Sequence, residues 1–280
     1  LKKKINVIGI DNINDYYDIN LKKNRLKILE TYKNFSFNKF DLINKKKLDL
    51  IVKKNRIKII IHLAAQAGVR YSIKNPNSYF KNNLGVFFNI LEVSRLYKIN
   101  HLIFASTSSV YGENLNHPSK ENFNTDKPLS FYAATKKSNE IMAYAYSNIF
   151  KLPCTGLRFF TVYGPYGRPD MALFRFTKNI LENKKIELFN NGNHARDFTY
   201  IDDVIDGIFS LIKKPKKQQI PFNIFNIGNG NSKKLKEYIK LIEKNLNLKA
   251  KVKKLPLQLA DIKKTHSDIS NLNLYTGYTP

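Results

Sequence analysis

The sequence contains a single cysteine, Cys154, so no intramolecular disulfide can cross-link it. Its five histidines show no metal-ligand spacing, which excludes a structural zinc site of the usual kind. No apolar run approaches the roughly 18 to 20 residues that span a bilayer. The basic opening Leu1-Lys2-Lys3-Lys4 leads into a short strand-like segment, not into the core of a signal peptide. A cytoplasmic protein away from membranes is therefore expected. Acidic residues are also scarce, 22 against 48 lysines and arginines, for a net charge of +26. Such a field can hold nucleic acid or draw in a small anion. The lysines, however, are scattered in ones, twos and threes among asparagine and isoleucine, as a compositional bias would place them. No nucleic-acid partner is expected.

What is present is enough for a packed core: 280 residues, 42% hydrophobic and 12% aromatic. Short apolar runs alternate with longer amphipathic ones, the rhythm of a doubly wound parallel sheet. Strands are predicted over 6–11, 57–64, 101–106 and 154–160, and helices over 20–34, 76–97 and 131–150. Beyond residue 160 the rhythm loosens, with glycine and proline in Tyr163-Gly164-Pro165-Tyr166-Gly167-Arg168-Pro169 and again at Gly228 and Gly230. The predicted architecture is α/β, a Rossmann-like domain over 1–160 followed by a smaller α/β substrate lobe over 161–280.

Three features carry chemistry. Tyr132 and Lys136 stand four apart at a predicted helix start, so their side chains share one face. An ammonium beside a phenol favours the phenolate, and the pair can then serve as a general base. With 16 tyrosines in a lysine-rich chain such a pair also arises by chance, so its position must support the reading. The second feature is a strand ending in hydroxyls, Phe104-Ala105-Ser106-Thr107-Ser108-Ser109. Ligands of open parallel sheets bind at the carboxyl ends of strands, where Thr107 can bond a reacting hydroxyl. The alternative is that the hydroxyls only cap the next turn. The third is Asp11, which closes Val7-Ile8-Gly9-Ile10-Asp11. A carboxylate there can accept from both hydroxyls of an adenosine ribose and would repel a 2′-phosphate, favouring NAD over NADP; the alternative is a turn former.

With these residues in view the chain resembles the extended short-chain dehydrogenase/reductases, the NAD-dependent epimerases and dehydratases of nucleotide sugars. Within them it looks most like the UDP-glucuronate 4-epimerases. The resemblance runs from about residue 5 to the end, on motifs in the expected order. These are Gly9-Ile10-Asp11-Asn12, His62-Leu63-Ala64-Ala65-Gln66-Ala67-Gly68-Val69-Arg70, Thr107-Ser108-Ser109-Val110-Tyr111-Gly112, Tyr132-Ala133-Ala134-Thr135-Lys136, Leu157-Arg158-Phe159-Phe160, and Arg196-Asp197-Phe198-Thr199-Tyr200-Ile201-Asp202-Asp203-Val204. It implies a catalytic trio of Thr107, Tyr132 and Lys136, with Lys136 also on the nicotinamide ribose. It implies cofactor contacts at Asp11, Asn12, Asp41, Leu42, Leu63, Ala64, Ala65, Asn82 and Phe160. Arg196 and Asp261 match positions that hold the diphosphate and the uridine ribose. A homodimer built on paired helices and a role in capsule or lipopolysaccharide precursor supply are further implications.

The family's opening strand and G-x-x-G-x-x-G turn, which receives the pyrophosphate, do not occur in this sequence. Leu1 to Lys4 is expected to be the tail of a first helix, with about 25 residues missing before it and a terminal helix missing after Pro280. Dehydratases of the family place an Asp-Glu pair after the catalytic threonine, where this chain has Ser108-Ser109; that favours epimerisation. Thr161 stands where hexose epimerases have asparagine, and Gly167-Arg168-Pro169-Asp170-Met171-Ala172 follows. Arg168 can grip a C6 carboxylate bidentately, with Thr161 and Ser108 assisting and Arg70 a weaker candidate. UDP-glucuronate and UDP-galacturonate are thus the expected pair. UDP-glucose or UDP-N-acetylglucosamine epimerisation, 4,6-dehydration and a non-enzymatic NAD-binding scaffold remain alternatives.

Overall fold

A computed structural model describes all 280 residues, in two units, Leu1–Ile57 and Lys58–Pro280. In the first unit β1 (Val7–Asp11) lies parallel to β2 (Phe35–Lys39), with Val7 opposite Phe35 and Asp11 opposite Lys39. Gly9 sits where a Cβ would lie 2.9 Å from the Phe35 ring, so the close approach requires glycine. Helix α1 (Ile19–Glu30) makes the crossover, its start capped by Asp18, which accepts from the Asn20 amide at 2.8 Å. The predicted helix ran on to residue 34. The chain instead turns after Glu30, and the Asn34 side chain donates to the Ile5 carbonyl at 2.7 Å and to that of Leu1 at 3.1 Å. Helix α2 (Lys45–Lys54) buries Leu48 and Val52, one turn apart. Leu1 to Lys4, expected as the end of a helix, forms one turn closed by the Lys4 amide on the Leu1 carbonyl at 2.9 Å.

The second unit is built on a parallel sheet of β3 (Ile59–His62), β4 (His101–Thr107), β5 (Cys154–Phe159) and β9 (Phe222–Ile227), in that spatial order. Strand β4 is the most buried, as its nearly continuous apolar sequence demands. Between β3 and β4 come α3 (Val69–Lys74), α4 (Pro76–Tyr79) and α5 (Val86–Leu96). The single helix predicted over 76–97 is therefore interrupted: Phe80–Gly85 is a π-helical turn. At that turn buried Asn83 accepts from the Gln66 amide at 2.8 Å and donates to Thr135 Oγ1 at 3.0 Å. These tertiary bonds have no signature in local periodicity. Helix α6 (Phe131–Phe150) matches its predicted span, with Ser130 accepting from the Ala133 amide and Lys151 closing it in a left-handed conformation.

After β5 come β6 (Thr161–Tyr163), α7 (Ala172–Leu181), β7 (Lys185–Leu188), β8 (Ala195–Tyr200) and α8 (Ile201–Ile212), then β9, β10 (Ser232–Lys234), α9 (Leu235–Leu246), β11 (Lys251–Lys254) and α10 (Ser270–Thr276). Strands β10, β8 and β6 form one small sheet and β11 and β7 another. Val204, Ile208 and Leu211 of α8, at helical spacing, pack on Ile103, Leu157, Phe225 and Ile227 of the main sheet. A separate cluster of Phe176, Ile180, Ile186, Leu188, Phe198, Leu235 and Ile239 holds α7 and α9 against the small strands. The segment after residue 160 thus builds its own core and also returns β9 to the main sheet.

Candidate active site

Strand β4 delivers Thr107 to its carboxyl end, where the chain coils into a short 3-10 turn, Ser108–Tyr111. Thr107 Oγ1 accepts from the Ser109 amide at 3.2 Å, so the hydroxyl does cap this turn. It also lies close enough to the Tyr132 phenol to help lower that phenol's pKa. Tyr132 emerges from the first turn of α6, its ring edge-on to Tyr79 with centroids 6.0 Å apart. Tyr79 is itself fully buried and anchored by its hydroxyl to the Ala67 carbonyl at 3.0 Å.

Burial holds the Tyr132 phenol above its ordinary pKa, while the Thr107 bond and the Arg168 charge pull it down. Lys136, expected to do this, acts elsewhere: its Nζ donates to the Ala105 carbonyl at 2.8 Å. Only 2% exposed, its ammonium is destabilised by burial and titrates at about 8. The spacing of four places the lysine on the correct face, but the tertiary packing chooses its partner.

Lys136 also acts on His62 at the end of β3. Burial first, and the Lys136 charge second, lower the His62 imidazole to about 3. In the unfolded chain it titrates near 6.5, so between these values only the unfolded state gains the proton. The folded state consequently loses stability as pH falls from about 6.5 towards 3, with no cost from this residue above that window. At pH 5 the loss should be about 2 kcal/mol relative to neutral pH, read by urea unfolding. His62→Gln should flatten this part of the profile; an unchanged slope would refute the assignment.

Behind Thr107 lies an ionic cluster that sequence reasoning missed. Glu140 of α6 accepts from Ser106 Oγ at 2.6 Å, Arg158 Nε at 2.9 Å and Arg158 Nη2 at 2.8 Å. The Arg158 guanidinium lies over the Tyr111 ring, 4.8 Å from its centroid, and the Tyr111 hydroxyl donates to Asn226 Oδ1 at 2.7 Å. The i, i+4 spacing of Lys136 and Glu140 was the one available signal.

Of the predicted substrate residues, Arg70, Ser108, Thr161, Arg196 and Asp261 line a single cavity of about 160 Å³. There Arg196 Nη2 donates to Asp261 Oδ1 at 3.1 Å, and Arg70 Nη2 lies 3.6 Å from Asp261 Oδ2. Burial lowers the Arg196 pKa, with Arg70 acting in the same direction and Asp261 opposing both. The Arg70 guanidinium stacks on Phe189, 4.5 Å from its centroid. Arg168 lines a different, larger hollow of about 470 Å³ with Met171, Leu173 and Phe174, and Thr161 borders both. Arg168 Nε donates to Asp170 Oδ1 at 2.5 Å.

The predicted cofactor residues divide between the units. In the first, Asp11 is exposed at the end of β1, with Oδ1 accepting from the Ile13 amide at 2.6 Å; Asn12 likewise accepts from the Asn14 amide at 3.1 Å. Asp41 Oδ1 accepts from the Ile43 amide at 3.0 Å, and Leu42 is half-buried. In the second, Leu63 is 50% exposed beyond the end of β3, followed by half-buried Ala64 and Ala65. Asn82 donates to Ser78 Oγ at 3.1 Å, and Phe160 is buried with Val110 and Tyr111. Within the second unit the residues fit a nicotinamide nucleotide: small and apolar side chains at the end of β3 and a buried ammonium for ribose hydroxyls. No group of three or more histidine, cysteine, aspartate or glutamate side chains is placed to hold a metal ion. No helix is long and apolar enough to cross a membrane.

Comparison with known proteins agrees with this geometry. Residues 1–228 match the model of the NAD dependent epimerase/dehydratase family. Protein CapI of Staphylococcus aureus is 47% identical over 280 residues, which cover 95% of this chain and 84% of that protein. The UDP-glucuronate 4-epimerase of Thermodesulfobacterium geofontis is 41% identical over 281 residues, covering 100% of this chain and 85% of the other. Among solved structures, the UDP-glucuronic acid 4-epimerase of Bacillus cereus, in complex with UDP-glucuronic acid and NAD, superposes with a TM-score of 0.91. It is 36% identical, covering 98% of this chain and 85% of its own.

Proposed function

The chain belongs to the NAD-dependent epimerase/dehydratase family, and from that premise we propose that it interconverts UDP-glucuronate and UDP-galacturonate by inverting C4. NAD, held by Lys136 and the residues at the end of β3, would supply the hydride acceptor and donor that inversion at C4 requires. Tyr132 takes the proton of the C4 hydroxyl as the ketone forms and gives it back after the sugar has turned over. Thr107, whose hydroxyl lies beside the phenol, shares that proton. Lys136, tied to the Ala105 carbonyl, holds a nicotinamide ribose hydroxyl with its remaining donors. The observation that carries this reading is the contact of Thr107 with Tyr132 at the strand end, within reach of the Arg168 charge.

Arg168 and Thr161 bind the C6 carboxylate; Arg196 and Asp261, in the cavity that Arg70 and Ser108 also line, bind the diphosphate and uridine ribose. Ser108-Ser109 after Thr107 offers no acid for eliminating water, which supports epimerisation over dehydration. Residues 1–160 form the NAD domain and 161–280 mainly the substrate lobe. The protein acts in the cytoplasm as a homodimer, supported by Phe88, Ile141 and Tyr144, large apolar side chains left exposed on α5 and α6.

Proton NMR of UDP-glucuronate with enzyme and NAD should show UDP-galacturonate appear. Arg168→Gln should raise KM for UDP-glucuronate by about ten- to a hundredfold, the value of a lost charge-assisted pair, with little change in any turnover of UDP-glucose. Conversion of UDP-glucose or UDP-N-acetylglucosamine alone would keep the proton chemistry and overturn the uronate assignment.

A further inference from the structure

His194 precedes β8 and is only 4% exposed, yet its Nε2 has no hydrogen-bond partner. That nitrogen lies 3.4 Å from Asp261 Oδ2, in the cluster where Asp261 also meets Arg196 and Arg70. Its backbone carbonyl is held by the Leu235 amide at 2.8 Å, which fixes the residue in place. Resting on the reading that this cluster holds the substrate diphosphate, we propose that His194 is a positioning residue that gains a proton when the nucleotide sugar binds, becoming the cluster's third cation.

The groups facing His194 are Arg196 on β8, Arg70 on α3 and Asp261; Lys236 of α9 reaches instead to Asn193 Oδ1, at 3.4 Å. Two arginines and one carboxylate leave the cluster positive, and a neutral imidazole gives Asp261 no charge-assisted partner at that nitrogen. Burial and the arginines keep the imidazole below its ordinary pKa in this state, while Asp261 works the other way. A doubly negative diphosphate beside Arg196 reverses the local sign. Protonated Nε2 then donates to Asp261 Oδ2, holding that carboxylate for the uridine ribose. The proton comes from the buffer, and by linkage the substrate binds more tightly as pH falls.

The test is calorimetric titration of UDP-glucuronate into the NAD-loaded Tyr132→Phe protein, whose turnover is expected to be about a thousandfold slower, in buffers of different ionisation enthalpy at neutral pH. The diphosphate of a nucleotide sugar does not titrate there, so proton exchange reports on the protein. The expected result is net uptake of roughly half a proton or more, with affinity rising by up to about tenfold per unit of pH decrease between about 8 and 6. Added to that background, His194→Gln should abolish the uptake; in the active enzyme it should abolish the pH dependence of KM and change KM more than kcat. His194→Asn provides a second neutral replacement. Binding without proton exchange, or uptake that survives either replacement, would overturn the proposal. So would a protein that fails to bind UDP-glucuronate, and production of UDP-galacturonate by the unaltered enzyme then tells whether the functional reading fails with it.

Discussion

Tyr132→Phe should lower kcat for UDP-glucuronate epimerisation by about a thousandfold while leaving the fold and substrate affinity largely intact. The ring is held by packing against Tyr79, and phenylalanine preserves that edge-on contact. What it removes is the hydroxyl that lies beside Thr107 and, in the proposed reaction, exchanges the C4 proton. General acid–base catalysis contributes about 10² to 10⁴ in rate, and here the same group acts in both half-reactions. Thr107→Val should cost less, because the phenol remains and loses only one of the influences that pull its pKa down. Stopped NMR time courses with both variants provide the measurement. A Tyr132→Phe enzyme within tenfold of the original rate would place the proton transfer on another group.

The second large effect concerns stability. Glu140 and Arg158 form a buried ion pair, with each side chain 4% exposed, that ties α6 to β5, while Ser106 ties the same carboxylate to β4. Burial works against the Arg158 charge, but the hydrogen bonds and charge of Glu140 outweigh it and hold its pKa above the ordinary arginine value. Arg158→Met leaves the Glu140 carboxylate buried with Ser106 and with Lys137, whose Nζ is 3.7 Å away. Loss of one partner of such a pair costs about 3 to 5 kcal/mol. Urea unfolding of Arg158→Met should show that loss, and pairing it with Glu140→Leu should recover much of it, since the uncompensated charge is then gone. If the single variant is as stable as the original, the pair is solvated in solution and does not organise the site.

The two effects meet in one helix, because α6 carries Tyr132 on its first turn and Glu140 two turns later. A shift of α6 on the sheet would move the phenol relative to Thr107, so Arg158→Met should also slow catalysis in the protein that remains folded. Its kcat, measured well below the unfolding midpoint, checks this.

The sequence by itself determined what depends on near neighbours in the chain. The apolar run of β4 and its terminal hydroxyls, the span of α6, and the placement of Tyr132 and Lys136 on one helical face all follow from spacings of one to four residues. Composition and periodicity operate at that range. Only the tertiary structure decided the rest. The partner of Lys136 is a backbone carbonyl 31 positions earlier. Asn83 replaces a regular helical turn with a wider one through bonds to Gln66 and Thr135. Arg168 lines a different hollow from Arg70, Arg196 and Asp261, although all four were read as substrate residues. Asp261 meets Arg196 from 65 positions away, and His194 joins them with nothing in its neighbourhood to announce it. Contacts across such separations leave no local period. They are selected by which charges and polar groups the packed core forces together away from water, and that is settled only when the chain has folded.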